Sequence, residues 1–196
     1  MPLEEVKGDD VSTSPARCPP VRPRNLHRRP CRAGSNHWHR PAAFPRPPPT
    51  GAGPEFLSDA PYTATFWREG DPGERLMLSG RIMDTSGRPV AGAVVELWQA
   101  DGAGNYHDNA YRGRLVTDEG GRYAVRTVVP ASYYRAKHIH MMVSHDSHGT
   151  VTTRVEFKGD PALEGRDDSH AVVLEETRVQ DDVVYVGTFD VVLPGS

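Results

Sequence analysis

Leu76-Met77-Leu78-Ser79-Gly80-Arg81-Ile82, then Asp84-Thr85-Ser86-Gly87-Arg88-Pro89, then Val90 to Trp98, is the stretch on which the fold turns. Its first seven residues put Leu76, Leu78, Gly80 and Ile82 on one side and Met77, Ser79 and Arg81 on the other. That period of two suits a strand with one buried face. The Asp, Ser, Gly and Pro that follow open and close turns, because they hydrogen-bond locally or fix unusual backbone angles. Working outward, the same grammar repeats. Val90 to Trp98 ends at Asp101-Gly102-Ala103-Gly104, Leu115-Val116-Thr117 runs into Asp118-Glu119-Gly120-Gly121, and Arg122 to Val129 follows. Ile139 to Ser144, Thr150 to Phe157, Ala171 to Glu176 and Val183 to Leu193 supply further strands, and no long amphipathic helical stretch interrupts them. Short strands at this spacing predict an all-β domain, an antiparallel β-sandwich.

Upstream the composition changes near residue 54. Residues 1–53 hold eight arginines and one lysine against four carboxylates, a balance of +5, so that the whole-chain charge of −3 leaves −8 on residues 54–196. This stretch also carries eleven of the eighteen prolines and almost no aliphatic side chains, too little apolar surface to offset its ordering entropy. A disordered basic Pro/Arg-rich tail over 1–53 and one folded domain over 54–196 are expected. Cys18 and Cys31 lie in the tail with His27, His37 and His39, but neither Cys-x-x-Cys nor a zinc-type histidine spacing is present, and chance neighbours account for them. The charge would suit nucleic acid, yet Trp38 and Phe44 are the only aromatic residues there to stack on bases, which argues against that partner. Met1 to Asp10 is acidic and polar, the run after Arg28-Arg29 is polar, and no stretch of ~20 apolar residues occurs. The expectation is a cytoplasmic protein with no membrane partner.

Scaffold and chemistry are carried by different residues. Gly80 to Leu97 and Thr117 to Tyr123 are of a kind common to many binding or spacer sandwiches, carboxypeptidase regulatory-like modules among them, and a fold does not fix a function. What separates an enzyme from a spacer is His138-Ile139-His140 together with Tyr106 and Tyr133. Residues i and i+2 of a strand share a face, so both imidazoles can address one point. Taken singly, the histidine pair is an accident of alternation and each tyrosine an aromatic packed at a strand end. Two tyrosines and two histidines on one β scaffold make a coherent metal set.

Val95-Glu96-Leu97-Trp98-Gln99-Ala100-Asp101 with Gly104-Asn105-Tyr106, Pro130-x-x-Tyr133, and Arg135-x-x-His138-Ile139-His140 together resemble the intradiol ring-cleavage dioxygenases: catechol, hydroxyquinol and protocatechuate dioxygenases. The likeness runs roughly from Gly53 to Asp160 and is closest to small single-domain members. It implies Fe(III) held by Tyr106, Tyr133, His138 and His140, with Tyr133 and His140 axial. Phenolates are hard ligands that hold iron oxidised, unlike the two-His-one-carboxylate site of ferrous oxygenases. It further implies a catechol-type substrate and O2, with Tyr133 taking a substrate proton, Arg135 lying over the ring to stabilise negative charge, and a muconate-type diacid as product. A homo-oligomer is also implied, with no interface legible in the sequence.

Two departures from the family pattern leave alternatives open. Only four residues separate Tyr133 from His138, so Tyr134 competes for the second tyrosine position. Arg154 stands where the family usually has a glutamine near the substrate: it either binds a carboxylated ring or its product, or pairs with Glu156. Asp101 and Asp108 are alternative carboxylate ligands for a different metalloenzyme. A non-catalytic sandwich module, without iron, is the other alternative.

Overall fold

The structure is a computed structural model that describes residues 50–53 and 55–195. The expected tail up to residue 49, with its cysteines and histidines, lies outside the described residues.

Nine strands are present among the described residues: β1 (Arg75–Met83), β2 (Val94–Trp98), β3 (Arg112–Val116), β4 (Arg122–Val128), β5 (His138–His145), β6 (His148–Glu156), β7 (Glu175–Val179), β8 (Asp182–Thr188) and β9 (Val191–Val192). They form two sheets. One runs β4-β1-β8-β7 with β9 also on β1, and the other runs β3-β2-β5-β6. The all-β sandwich class expected from the alternation is the class observed. All named pairings are antiparallel except those of β1 with β8 and β9, which are parallel because the chain returns to β1 after passing through the other sheet. Among the described residues no helix is long and apolar enough to cross a membrane, and the one helical element is a 3-10 turn, Pro161–Leu163.

Several strand edges differ from the sequence reading for local reasons. Residues 91 and 92 form a turn, with Gly92 at φ 76°, so the strand expected from Val90 begins at Val94. The stretch Ala171 to Glu176 contributes only a bridge at Val172 before β7 starts at Glu175. Val183 to Leu193 is split between β8 and β9, Phe189 donating its N–H to Ser79 O across the break.

The core lies between the sheets. Leu76, Leu78 and Ile82 of β1 meet Val95 and Leu97 of β2 and Ile139, Met141 and Val143 of β5, all essentially inaccessible to solvent. Burial of each such side chain contributes about 1.5–3 kcal/mol before entropy is counted. Alternation then forces the neighbours of these β5 residues, His138 and His140, onto the outer face of the four-stranded sheet. The same face carries Trp98, paired opposite His140, and Arg154, paired opposite it on the other side. A segment ahead of β1 runs along this sheet. Thr50 N–H bonds Thr152 O at 2.7 Å, Thr63 N–H bonds Arg114 O at 3.0 Å, and the Arg112 guanidinium bonds Leu57 O.

Candidate metal centre

The two histidines come to the same point. His138 Nδ1 lies 2.7 Å from Ala136 O and donates to it, which leaves Nε2 as the free lone pair. That Nε2 is 3.2 Å from Nε2 of His140. Burial lowers the pKa of both rings; His140 falls to about 3 through burial first and the charges of His138, Arg154 and Arg135 next. Both imidazoles are therefore neutral near neutral pH and carry ligand-competent lone pairs. Trp98 lies flat against the His140 ring, centroids 5.0 Å apart and planes 1° apart, and holds its orientation.

Two loops bring up the tyrosines. Asp101, buried at the end of β2, accepts from Ala103 N–H at 2.8 Å, Asn105 N–H at 2.9 Å and His107 Nε2 at 2.8 Å, and so shapes the loop that ends in Tyr106. Gly104 sits in this loop at φ 90°, a conformation that favours glycine. The carbonyl of Asp101 also receives Ala131 N–H at 3.1 Å, tying the first loop to the one that carries Tyr133. Asp160 fastens the far side of that second loop, accepting from Lys137 N–H at 2.8 Å and from Ala162 N–H at 2.9 Å.

Tyr133 Oη lies 3.2 Å from His138 Nε2, and the Tyr106 ring stands edge-on to that of Tyr133 at 6.2 Å. Among the described residues Tyr106 Oη, though buried, has no hydrogen bond of ordinary geometry, and burial first, then the neighbouring Tyr133 hydroxyl, push its pKa up. A buried phenol without a partner costs free energy unless something else occupies its lone pairs. Two imidazole nitrogens and a phenol oxygen converging within hydrogen-bond reach, with a second phenol left over beside them, are a donor set that a hard trivalent cation fits.

Around this cluster is a cleft of about 520 Å³, lined among others by Glu55, Tyr106, Tyr133, Arg135, His140 and Arg154. Tyr134 is 83% exposed, with the Arg135 guanidinium 5.4 Å above its ring. The structure thus brings Tyr106, Tyr133, His138 and His140 together and puts Arg135, Arg154 and the largely exposed Tyr134 in the wall. Arg154 is not ion-paired to Glu156, whose nearest cation is Arg166 at 3.9 Å.

The carboxylate alternative is not what the geometry favours. Asp101 is committed to its own loop and Asp108 is exposed. Among the described residues no three His, Cys, Asp or Glu side chains group around a point. Sequence reasoning did not single out Asp160, the Ala136 carbonyl or the stacking role of Trp98. Trp98 and Pro130 were visible as part of the motif; Asp160 lies 23 residues from the backbone N–H it receives at Lys137, and such a distance leaves no local signal.

A family model described as Dioxygenase matches residues 52–195. Catechol 1,2-dioxygenase of Acinetobacter baylyi is 34% identical over 146 residues, covering 58% of this chain and 47% of that protein. The protocatechuate 3,4-dioxygenase beta chain of Burkholderia cepacia is 35% identical over 127 residues, covering 54% of each. The 6-chlorohydroxyquinol 1,2-dioxygenase of Cupriavidus pinatubonensis is 35% identical over 180 residues, covering 74% of this chain and 63% of that one. The chain spans about half the length of the first two. Among solved structures, catechol 1,2-dioxygenase of Pseudomonas arvilla C-1 superposes with a TM-score of 0.71 at 28% identity, covering 76% of this chain and 62% of that one. The dioxygenase domain of a carbohydrate-binding fusion from Streptomyces sp. SirexAA-E superposes with a TM-score of 0.68 at 29% identity, covering 78% of this chain and all of that one.

Proposed function

The chain belongs to the intradiol ring-cleavage dioxygenase family, and from that premise we propose that it is a cytoplasmic Fe(III) enzyme that cleaves a catechol-type ring between its two hydroxyl-bearing carbons. Both atoms of O2 enter the product, a muconate-type diacid. The observation that supports this most is that Tyr133 Oη and His140 Nε2 each lie 3.2 Å from His138 Nε2, with the buried Tyr106 phenol beside them.

Tyr106, Tyr133, His138 and His140 are the residues that would hold the iron. A ferric ion supplies, when bound, the electron-withdrawing centre that makes a doubly deprotonated catechol open to attack by dioxygen. The protein's own groups do the rest. Ala136 O keeps the His138 ring turned and its Nε2 unprotonated. Tyr106 and Tyr133 both line the cleft, and Tyr133, whose Oη lies 3.2 Å from His138 Nε2, is the residue that would, as a phenolate, receive one proton from an entering hydroxyl. Arg135, in the wall of the cleft, supplies a permanent positive charge where negative charge grows on the ring.

Visible spectroscopy with metal analysis tests this. One iron per chain and a phenolate-to-iron band that moves on anaerobic addition of catechol are expected. Tyr106→Phe and Tyr133→Phe each weaken and shift the band, and Tyr134→Phe leaves it in place. A protein that stays colourless and iron-free after reconstitution sinks the proposal and leaves a non-catalytic binding module as the better account.

A further inference from the structure

Beside the cleft is a second, smaller cavity of about 260 Å³, and Arg135 and Arg154 line both. His138 lines both as well, and the remaining wall includes Glu156 and Arg166, the last reaching in from the loop after the 3-10 turn. Three guanidiniums therefore face a space in which Glu156 is the only carboxylate among the described lining residues. The Glu156–Arg166 pair is stretched to 3.9 Å with the Arg166 side chain 58% exposed, so it neutralises little. Arg154 Nε is buried and, among the described residues, has no hydrogen-bond partner. A buried guanidinium N–H without an acceptor is costly, and a planar carboxylate matches the guanidinium fork better than water does.

Building on the ring-cleavage reading, we propose that this annex is a subsite for an anionic ring substituent. The substrate is then a carboxylated catechol whose hydroxyls sit at the tyrosine–histidine cluster and whose carboxylate is received by Arg154 and Arg166. Arg166 acts here as a specificity residue from outside the ligand strands.

Calorimetric titration of the full chain without added iron, using 4-hydroxybenzoate, phenol and acetate as probes, reads the subsite directly. 4-Hydroxybenzoate should bind at least about tenfold tighter than phenol or acetate at low salt. Arg154→Gln/Arg166→Gln should reduce that preference to less than about threefold, while Arg154→Lys, which keeps the charge, should retain part of it. Arg166→Gln alone, at an exposed position, keeps the test decisive should the double variant fail a near-ultraviolet circular dichroism check. Equal affinity for phenol and 4-hydroxybenzoate, equal affinity for acetate, or a preference that survives the substitutions would overturn the subsite. With the iron-loaded protein, the kcat/KM ratio of 3,4-dihydroxybenzoate to catechol should fall about tenfold in Arg166→Gln. Catechol cleavage with an unmoved ratio would overturn the subsite and keep the ring-cleavage reading. No cleavage of either compound, with the binding preference intact, would overturn that reading and keep the anion site.

Discussion

Asp101 shows how much one side chain can decide at this site. Its carboxylate accepts two backbone N–H groups and the His107 ring, and its carbonyl holds the neighbouring loop. These bonds draw its pKa down against the opposing effect of burial. Replacing Asp101 with Ala leaves the Ala103 and Asn105 N–H groups without that acceptor. Stability should fall by about 0.5–1.5 kcal/mol, read by urea unfolding, because these part-buried bonds are lost from donors on exposed residues that water can partly satisfy. On the proposed function, iron binding should also weaken, since Tyr106 follows that loop. An unchanged unfolding midpoint would mean the loop is held by something other than Asp101.

Among the elements, β2 carries the conflict between scaffold and site. Val95 and Leu97 face the core while Glu96 and Trp98 face the outer layer with the histidines. Glu96 is buried there, and burial raises its pKa despite the nearby charges of Arg114 and Arg112. A carboxyl raised in the folded state binds its proton more tightly folded than unfolded. Its contribution is therefore fully present below the ordinary carboxyl pKa and is lost as pH rises through the folded value. Glu96→Gln cannot ionise, so the stability of the variant relative to the parent should improve between about pH 4 and about pH 7. Urea midpoints at the two pH values check this; a difference that does not move with pH would show that Arg112 and Arg114 offset the burial in full.

At the scale of the whole molecule, the hydrophobic core among the described residues is drawn from residues between Phe66 and Leu193. A chain beginning at Thr50 should therefore keep the thermal midpoint of the full chain within a few degrees, and should bind iron in the same ratio. Loss of cooperative unfolding in the shortened chain would show that residues 1–49 belong to the folding unit. The mixed pairing of β1 is a further whole-molecule feature. Gly80 is needed where β1 passes the β8–β9 junction, because a Cβ at that position would stand 1.9 Å from Phe189 O.

Strand class, turn positions, the scaffold motif and the tyrosine–histidine pattern were legible along the chain because each rests on spacings of a few residues. Alternation in β5 alone predicts that His138 and His140 share a face, and Tyr106 and Tyr133 stand at fixed offsets from recognisable strand ends. Other choices depended on contacts between distant segments. Tyr133 rather than Tyr134 turns to the histidines because the Asp101 carbonyl and the Asp160 carboxylate pin the ends of their loop. Arg154 is left without Glu156, and Arg166 joins it from a turn a dozen residues on. Periodicity assigns a side chain to a face of its own strand, and only the packing of one loop against another assigns it a partner.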